Sequence, residues 1–171
     1  MSKIYVDEIL PKDNAKITAA DLQLPAGSVI QVQQVVLTSD VLTSSGSYVD
    51  SGLAITFTPH YTTSKLLVSV VCPNTIVLGS GSLGATVQRN HGTGWQNQFG
   101  LAGDSGFDEL STPQYNGSLA AQFLDTGGYS SIQYKVVFKN GQNSGQNVYL
   151  NSYTGSDPKV RATMTVMEIA Q

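Results

Sequence analysis

Acidic, histidine and aromatic side chains are the residues of this chain with the most chemical potential. Asp104, Asp108 and Glu109 form its one acidic cluster. Two such carboxylates could act as general acid and base in a glycosidase, and three could bind Ca²⁺, although the spacing of an EF-hand loop is absent. The sequence favours a third interpretation, a solvated loop, because the cluster lies in the least regular stretch, 100–117.

Other motifs give no support for catalysis. His60 and His91 are not at ligand spacing from another histidine or from the single cysteine, Cys72, so we expect no metal. No serine occupies a nucleophile elbow. The run Gly79-Ser80-Gly81-Ser82-Leu83-Gly84 fits a dinucleotide-binding pattern, but no helical pattern follows it, which predicts a turn. We therefore expect that the protein is not an enzyme and needs no cofactor.

Three aromatic residues are candidate contacts for a glycan: Trp95, Tyr115 and Tyr129. An aromatic ring offers a sugar a flat apolar face with a polar edge. Trp95 is followed by Gln96-Asn97-Gln98, whose amides suit sugar hydroxyls. The alternative interpretation, which the sequence favours, places these rings in the protein core.

The composition of the whole chain favours self-assembly. Its 171 residues suit one domain, and only 12% of them are charged, against about 25% in ordinary soluble domains. Ser, Thr, Asn, Gln and Gly take the place of charge, and such surfaces can meet copies of themselves without desolvating ions. A net charge of -3 gives no basis for binding nucleic acid. No apolar run approaches the ~20 residues of a membrane span, so membrane insertion is not expected.

The elements that must position these residues are short strands. Gly- and Ser-rich turns separate them from Gly27 onward, a pattern typical of an all-β sandwich or barrel. Lys65–Cys72 predicts a central buried strand that stops at Pro73. Ser131–Lys139 alternates cleanly, and we expect 146–152 to pair with it through a turn at Asn140-Gly141.

The C-terminal segment predicts a long strand docked in a sheet, because a terminal strand this regular is seldom frayed. Side chains of successive residues alternate between its two faces. Met164 and Val166, with Ala162, should face one way. The other face should carry Thr163, Thr165 and Met167.

Residues 1–26 differ from the body, 27–171, and predict an anchoring arm. Pro11 and Pro25 punctuate a segment with too little apolar surface to fold alone. We expect it to add a strand to a neighbouring protein; a flexible terminus is the alternative. No h-region is present, so we expect no signal peptide. The expected anchoring residues are Ile4, Tyr5, Val6, Ile9 and Leu10.

Several segments resemble one group of proteins. They are Gly27-Ser28-Val29-Ile30-Gln31-Val32, Ser51-Gly52-Leu53-Ala54-Ile55-Thr56-Phe57-Thr58-Pro59 and Thr63-Ser64-Lys65-Leu66-Leu67-Val68, with the lead-in at 4–9 and 24–27 and the ending at 162–169. In these segments the chain is similar to small virion proteins and tail-fibre domains of tailed bacteriophages, especially marine and cyanobacterial ones. Residues 74–130 carry none of the resemblance.

The resemblance implies a jelly-roll-like antiparallel β-sandwich, comparable to complement C1q and tumour necrosis factor, with an extended N-terminal arm. It implies a structural virion protein, made in the host cytoplasm, that forms a homotrimer. Such a protein would be a tail-fibre or fibre-like component attached to other virion proteins through its arm. A receptor-binding module that recognises a host cell-surface glycan and a capsid decoration protein are the alternatives. The position on the particle stays open among tail fibre, head fibre and capsid.

Overall fold

A computed structural model describes residues 24–79, 81–102, 114–142, 145–151 and 161–171. The expected anchoring residues and the acidic cluster of Asp104, Asp108 and Glu109 lie outside these ranges. The described part of the chain is all-β, as the sequence predicts. Its ten strands are β1 (Val29–Val36), β2 (Leu42–Thr43), β3 (Val49–Phe57), β4 (Lys65–Leu78), β5 (Leu83–Asn90), β6 (Gln96–Ala102), β7 (Gln114–Asp125), β8 (Ile132–Asn140), β9 (Val148–Tyr149) and β10 (Thr163–Ile169).

The strands form two antiparallel sheets. In the first sheet, β4 is central: β7 pairs along one side of it, and β10 and β9 pair along the other. Beyond these, β1 pairs with β10 and β2 with β9. The second sheet has the order β3-β8-β5-β6. Most of the strand pairs join segments that are far apart in the sequence.

Four of the strand pairs are nested within one another along the chain. The innermost is β5 with β6, followed outward by β4 with β7, β3 with β8, and β1 with β10. A single long antiparallel ribbon, folded over on itself, has this order. The pairs of β10 with β4 and of β5 with β8 then join the ribbon's segments into the two sheets.

The core lies between the sheets and follows the two-residue period of the strands. On β10, the residues of one face are buried and those of the other are half-buried, which confirms the predicted orientation of Met164 and Val166. Each fully buried Val, Leu or Phe side chain stabilises the fold by about 1.5–3 kcal/mol. The inward-facing residues include Leu53, Ile55, Phe57, Val68, Val70, Tyr134, Val136, Phe138, Met164 and Val166.

Two buried carboxylates occupy one row of the inner face of the first sheet. Glu168 and Asp125 lie on either side of Leu66, in register with it. Glu168 accepts hydrogen bonds from the backbone N–H groups of His60 and Tyr61, both at 2.9 Å. A third bond comes from Gln31 Nε2, at 2.7 Å. Glu168 thereby holds the connection between β3 and β4 against the C-terminal strand.

The structure corrects two sequence-based predictions. The strand that begins at Lys65 does not stop at Pro73 but continues to Leu78, with a bulge between Cys72 and Thr75. A bulge accommodates proline because proline has no N–H to give to a ladder. The predicted pairing of 146–152 with β8 is wrong: β9 pairs with β2 and β4 in the other sheet. Both sides of β8 are already paired, with β3 and β5.

Candidate assembly surface

The outer face of the first sheet carries three rows of uncharged side chains across β1, β10, β4 and β7. Strand register fixes the rows, since directly paired residues point to the same face. We call this surface the neutral face. Its first row is Val32, Met167, Leu67 and Leu124, its second is Gln34, Thr165, Ser69 and Gln122, and its third is Val36, Thr163, Val71 and Ala120.

The first and third rows expose apolar side chains to solvent. Val32 is 56% exposed and Leu124 51%, in the first row. In the third row, Val36 is 42% exposed and Val71 40%. Scattered surface hydrophobics need no explanation, but a contiguous apolar patch on a soluble protein marks an interaction site. These four residues lie on β1, β4 and β7, and β10 joins β1 to β4, so they belong to one surface of the first sheet.

The middle row is polar without charge. Gln34 Nε2 donates to Thr165 Oγ1 at 2.9 Å, and Ser69 and Gln122 continue the row. Hydroxyl and amide groups both donate and accept hydrogen bonds. The row can therefore satisfy identical groups of a second copy. None of the twelve side chains of the neutral face ionises near neutral pH, so contact would desolvate no ion.

The outer face of the second sheet carries charged groups among its paired rows, whereas on the outer face of β4 the charged residue, Lys65, lies at the start of the strand, beyond the three rows. Lys135 Nζ lies 3.1 Å from Asp50 Oδ2 and 4.3 Å from the centre of the Trp95 ring. Lys139 Nζ lies 4.9 Å from the centre of the Tyr48 ring. Burying this face against another copy would desolvate these charges. The contrast makes the neutral face the better candidate for self-association.

The three predicted glycan contacts do not lie together. Trp95 packs on Lys135, on the outer face of the second sheet. Tyr129 stacks on His91, with ring centres 4.7 Å apart, and contacts Arg89. Arg89 pairs with Tyr134, which is buried in the core and therefore faces inward, opposite to its neighbour Lys135 on β8. Arg89 faces inward too, so Tyr129, which contacts it, lies on the inner side of this sheet. Glycan binding by either ring stays a prediction.

Tyr115 lies elsewhere, on the first sheet. Its backbone pairs with Val77 of β4, and its side chain lies outside the described part of the chain. Tyr115 is therefore separated from Trp95 by the fold, since Trp95 packs on the second sheet.

Metal and thiol chemistry find no support in the described residues. No group of three or more His, Cys, Asp or Glu side chains there is arranged to hold a metal ion. Burial raises the pKa of the Cys72 thiol to about 12, which leaves it protonated and unreactive at neutral pH. Among the same residues there is no helix of the length and hydropathy that a membrane span requires.

Sequence reasoning identified only part of the neutral face. The alternation of Thr163, Thr165 and Met167 indicated the outer side of the C-terminal strand. The residues missed were those of the flanking strands, such as Val32 and Leu124. The alternation of residue types along β1 and β7 could have indicated which of their side chains face outward. Only the register between distant strands shows that these side chains form continuous rows.

Comparisons with known proteins do not assign the chain to a group. No protein-family model matches it, and no curated protein matches it significantly in sequence.

Proposed function

We propose that this chain is a structural subunit of a bacteriophage virion, a tail-fibre or fibre-like component that forms a homotrimer through its neutral face. The observation that carries the self-association is the pair of exposed apolar rows on either side of an uncharged polar row, and the virion role is proposed from the sequence resemblance. Such a surface is unfavourable in water and favourable against a copy of itself. The alternative position on the particle is that of a capsid decoration protein.

The topology supports a jelly-roll form of the sandwich. Eight long strands make two sheets by the folding over of a nested ribbon. Double-sheet jelly rolls of eight strands occur in viral capsid and lectin domains. The two short strands, β2 and β9, extend the first sheet beside β4 without changing this order.

The start of the body supports an anchoring role for residues 1–26. Gly27 N donates to Ala170 O at 2.8 Å, beside the first pairs of β1 with β10. Leu24, Pro25 and Ala26 are exposed. The arm thus joins the body at an edge strand of the first sheet, where attachment to other virion proteins leaves the core undisturbed. The virion, after synthesis in the host cytoplasm, is the proposed location.

Light scattering coupled to gel filtration tests the assembly. We expect a single species at three times the 18.1 kDa chain mass at micromolar concentration. A species at the chain mass alone would contradict the proposal. Mass spectrometry of purified particles of the phage that encodes the chain tests the virion role independently, and absence from the particles would overturn that part.

A further inference from the structure

The connection between β5 and β6 fixes the position of Trp95. Asn90 Oδ1 accepts hydrogen bonds from the N–H groups of Gly92, at 2.9 Å, and Gly94, at 3.2 Å. Both glycines have positive φ, 103° and 98°, which other residues seldom adopt. The turn is therefore held closed by one side chain. Trp95 follows it directly and folds over the outer face of the second sheet.

The Trp95 ring is supported from the sheet and remains open to solvent. Lys135 Nζ lies 4.3 Å from the ring centre, and the Lys135 side chain is only 16% exposed. The residue Trp95 itself is 41% exposed. A large aromatic residue this exposed, and yet packed on a specific partner, is pre-organised to contact a ligand.

Neutral hydrogen-bonding groups share a row of the sheet with Lys135, the residue on which this ring packs. One row of paired residues crosses the sheet from Ala54 through Lys135 and Gln88 to Asn97. Gln88 Nε2 donates to Asn97 Oδ1 at 3.0 Å. Each amide offers two donors and an acceptor that can take two bonds, so this single bond uses a small part of their capacity.

Lys135, the cation under this ring, is already balanced by a carboxylate. Lys135 Nζ lies 3.1 Å from Asp50 Oδ2, and Asp50 is the more exposed partner at 51% of its side chain. A phosphate or sulfate would have to compete with Asp50 for Lys135. The arrangement therefore favours a neutral ligand, and the exposed carboxylate can accept hydrogen bonds from hydroxyl groups.

We infer that Trp95, Gln88, Asn97 and Asp50 form a binding site for a pyranose ring of a neutral saccharide. The C–H face of a pyranose is apolar with slightly positive hydrogens, which complements the negative face of an indole ring. Its hydroxyls suit the amides and the carboxylate. The ligand would sit on the sheet surface, without a deep pocket.

The site lies on the opposite side of the sandwich from the neutral face. Assembly through that face would leave Trp95 open, with one site on each chain. A shallow site for one sugar ring should bind weakly, with a Kd of about 1 mM or more. Several sites on one assembly would raise the avidity for a repeating saccharide. The inference does not rest on the proposed function.

Titration of the chain's single tryptophan tests the site. Trp95 is the only tryptophan, so its fluorescence reports on this position alone. The probes are methyl glycosides of neutral hexoses and N-acetylhexosamines, added to the full chain. We expect a saturable change with at least one of them, and Asn97→Ala should weaken that binding about fivefold, the equivalent of one hydrogen bond. Because the signal comes from each chain, it is readable whether the protein is assembled or monomeric.

A matched control is Tyr48→Ala. Tyr48 is also an exposed aromatic residue packed on a lysine, Lys139, and is 40% exposed. This variant should bind the sugar as the wild type does. Absence of any saturable change in the folded wild type would overturn the inference, as would equal loss in Tyr48→Ala and Asn97→Ala. Oligomers of the bound sugar identify its source: affinity that rises with length supports a polysaccharide, and constant affinity supports a free sugar.

Discussion

Arg89 of β5 and Asp125 of β7 form an ion pair of 2.8 Å that joins the two sheets. Asp125 also accepts a hydrogen bond from the Tyr134 hydroxyl, at 2.8 Å. Burial and then the nearby Asp125 raise the pKa of Tyr134, which keeps its hydroxyl protonated as a donor. Burial alone would lower the pKa of Arg89, but the hydrogen bond that Arg89 donates to Asp125 and the negative charge of Asp125 act together against it, and the net shift is upward. The Asp125 carboxylate thus accepts the hydrogen bonds of both the Arg89 guanidinium and the Tyr134 hydroxyl at this end of the core.

Asp125→Ala should therefore be strongly destabilising. The change leaves the Arg89 charge and the Tyr134 hydroxyl without their partner, and breaking a buried pair from one side costs about 3–5 kcal/mol. Asp50→Ala is the matched control, because it removes only exposed interactions, the pair with Lys135 and the hydrogen bond from the Gly52 N–H, which together should cost about 1–2 kcal/mol. Urea unfolding of both variants measures the difference. Similar small losses would mean that the ion pair between the sheets is dispensable.

Glu168 should make stability depend on pH in the acid range. Burial raises the pKa of Glu168, but hydrogen bonds from the N–H groups of His60 and Tyr61 and from Gln31 outweigh this and hold the pKa below its ordinary value of 4.5. The unfolded chain therefore takes up the proton first. The stabilisation by Glu168 is complete above the unfolded pKa and is lost as the pH falls through the lower, folded pKa.

Glu168→Gln tests this dependence, because glutamine does not titrate. The difference in unfolding free energy between wild type and variant should shrink as the pH falls below the ordinary carboxyl pKa. Urea unfolding at a series of pH values measures it. A difference that stays constant down to about pH 3 would show that the carboxylate's charge contributes nothing.

Deletion of residues 1–26 should leave the melting temperature of the body nearly unchanged. Residues 24–26 are exposed, and the backbone bond from Gly27 to Ala170 is retained in the shortened chain. Differential scanning calorimetry compares the two proteins. Under the proposed function, the deletion should also abolish incorporation into particles. Unfolding of the shortened chain would show that the segment belongs to the core.

The sequence predicts the all-β class and the inward residues of the C-terminal strand because these depend on local alternation. Met164 and Val166 show this: each alternates with a polar or half-buried neighbour and is fully buried. The same reasoning fails for the choice of pairing partner, because that choice depends on strands that are far apart in the sequence. The segment 146–152 follows a turn signal after β8, yet β8 has no edge left to pair with it.

Close approaches between distant segments are equally invisible in the sequence. Gly127 has φ of 72° and lies against the backbone carbonyl of Ser64, where any β-carbon would clash. Nothing near Gly127 in the chain indicates that contact. The neutral face is equally hidden in the sequence. Val32 and Leu124 belong to one row only because β10 and β4 lie between their strands in the sheet.

A comparison of Thr165→Lys with Thr56→Lys tests the assembly account most directly. Both threonines lie on outer faces, and each hydroxyl accepts a hydrogen bond from a glutamine of the neighbouring strand, Gln34 or Gln133. Thr165 is in the middle row of the neutral face, whereas Thr56 is on the outer face of the second sheet. Light scattering should find Thr56→Lys at three times the 18.1 kDa chain mass, like the wild type, and Thr165→Lys at the chain mass. Equal masses for the two folded variants would contradict assembly through the neutral face.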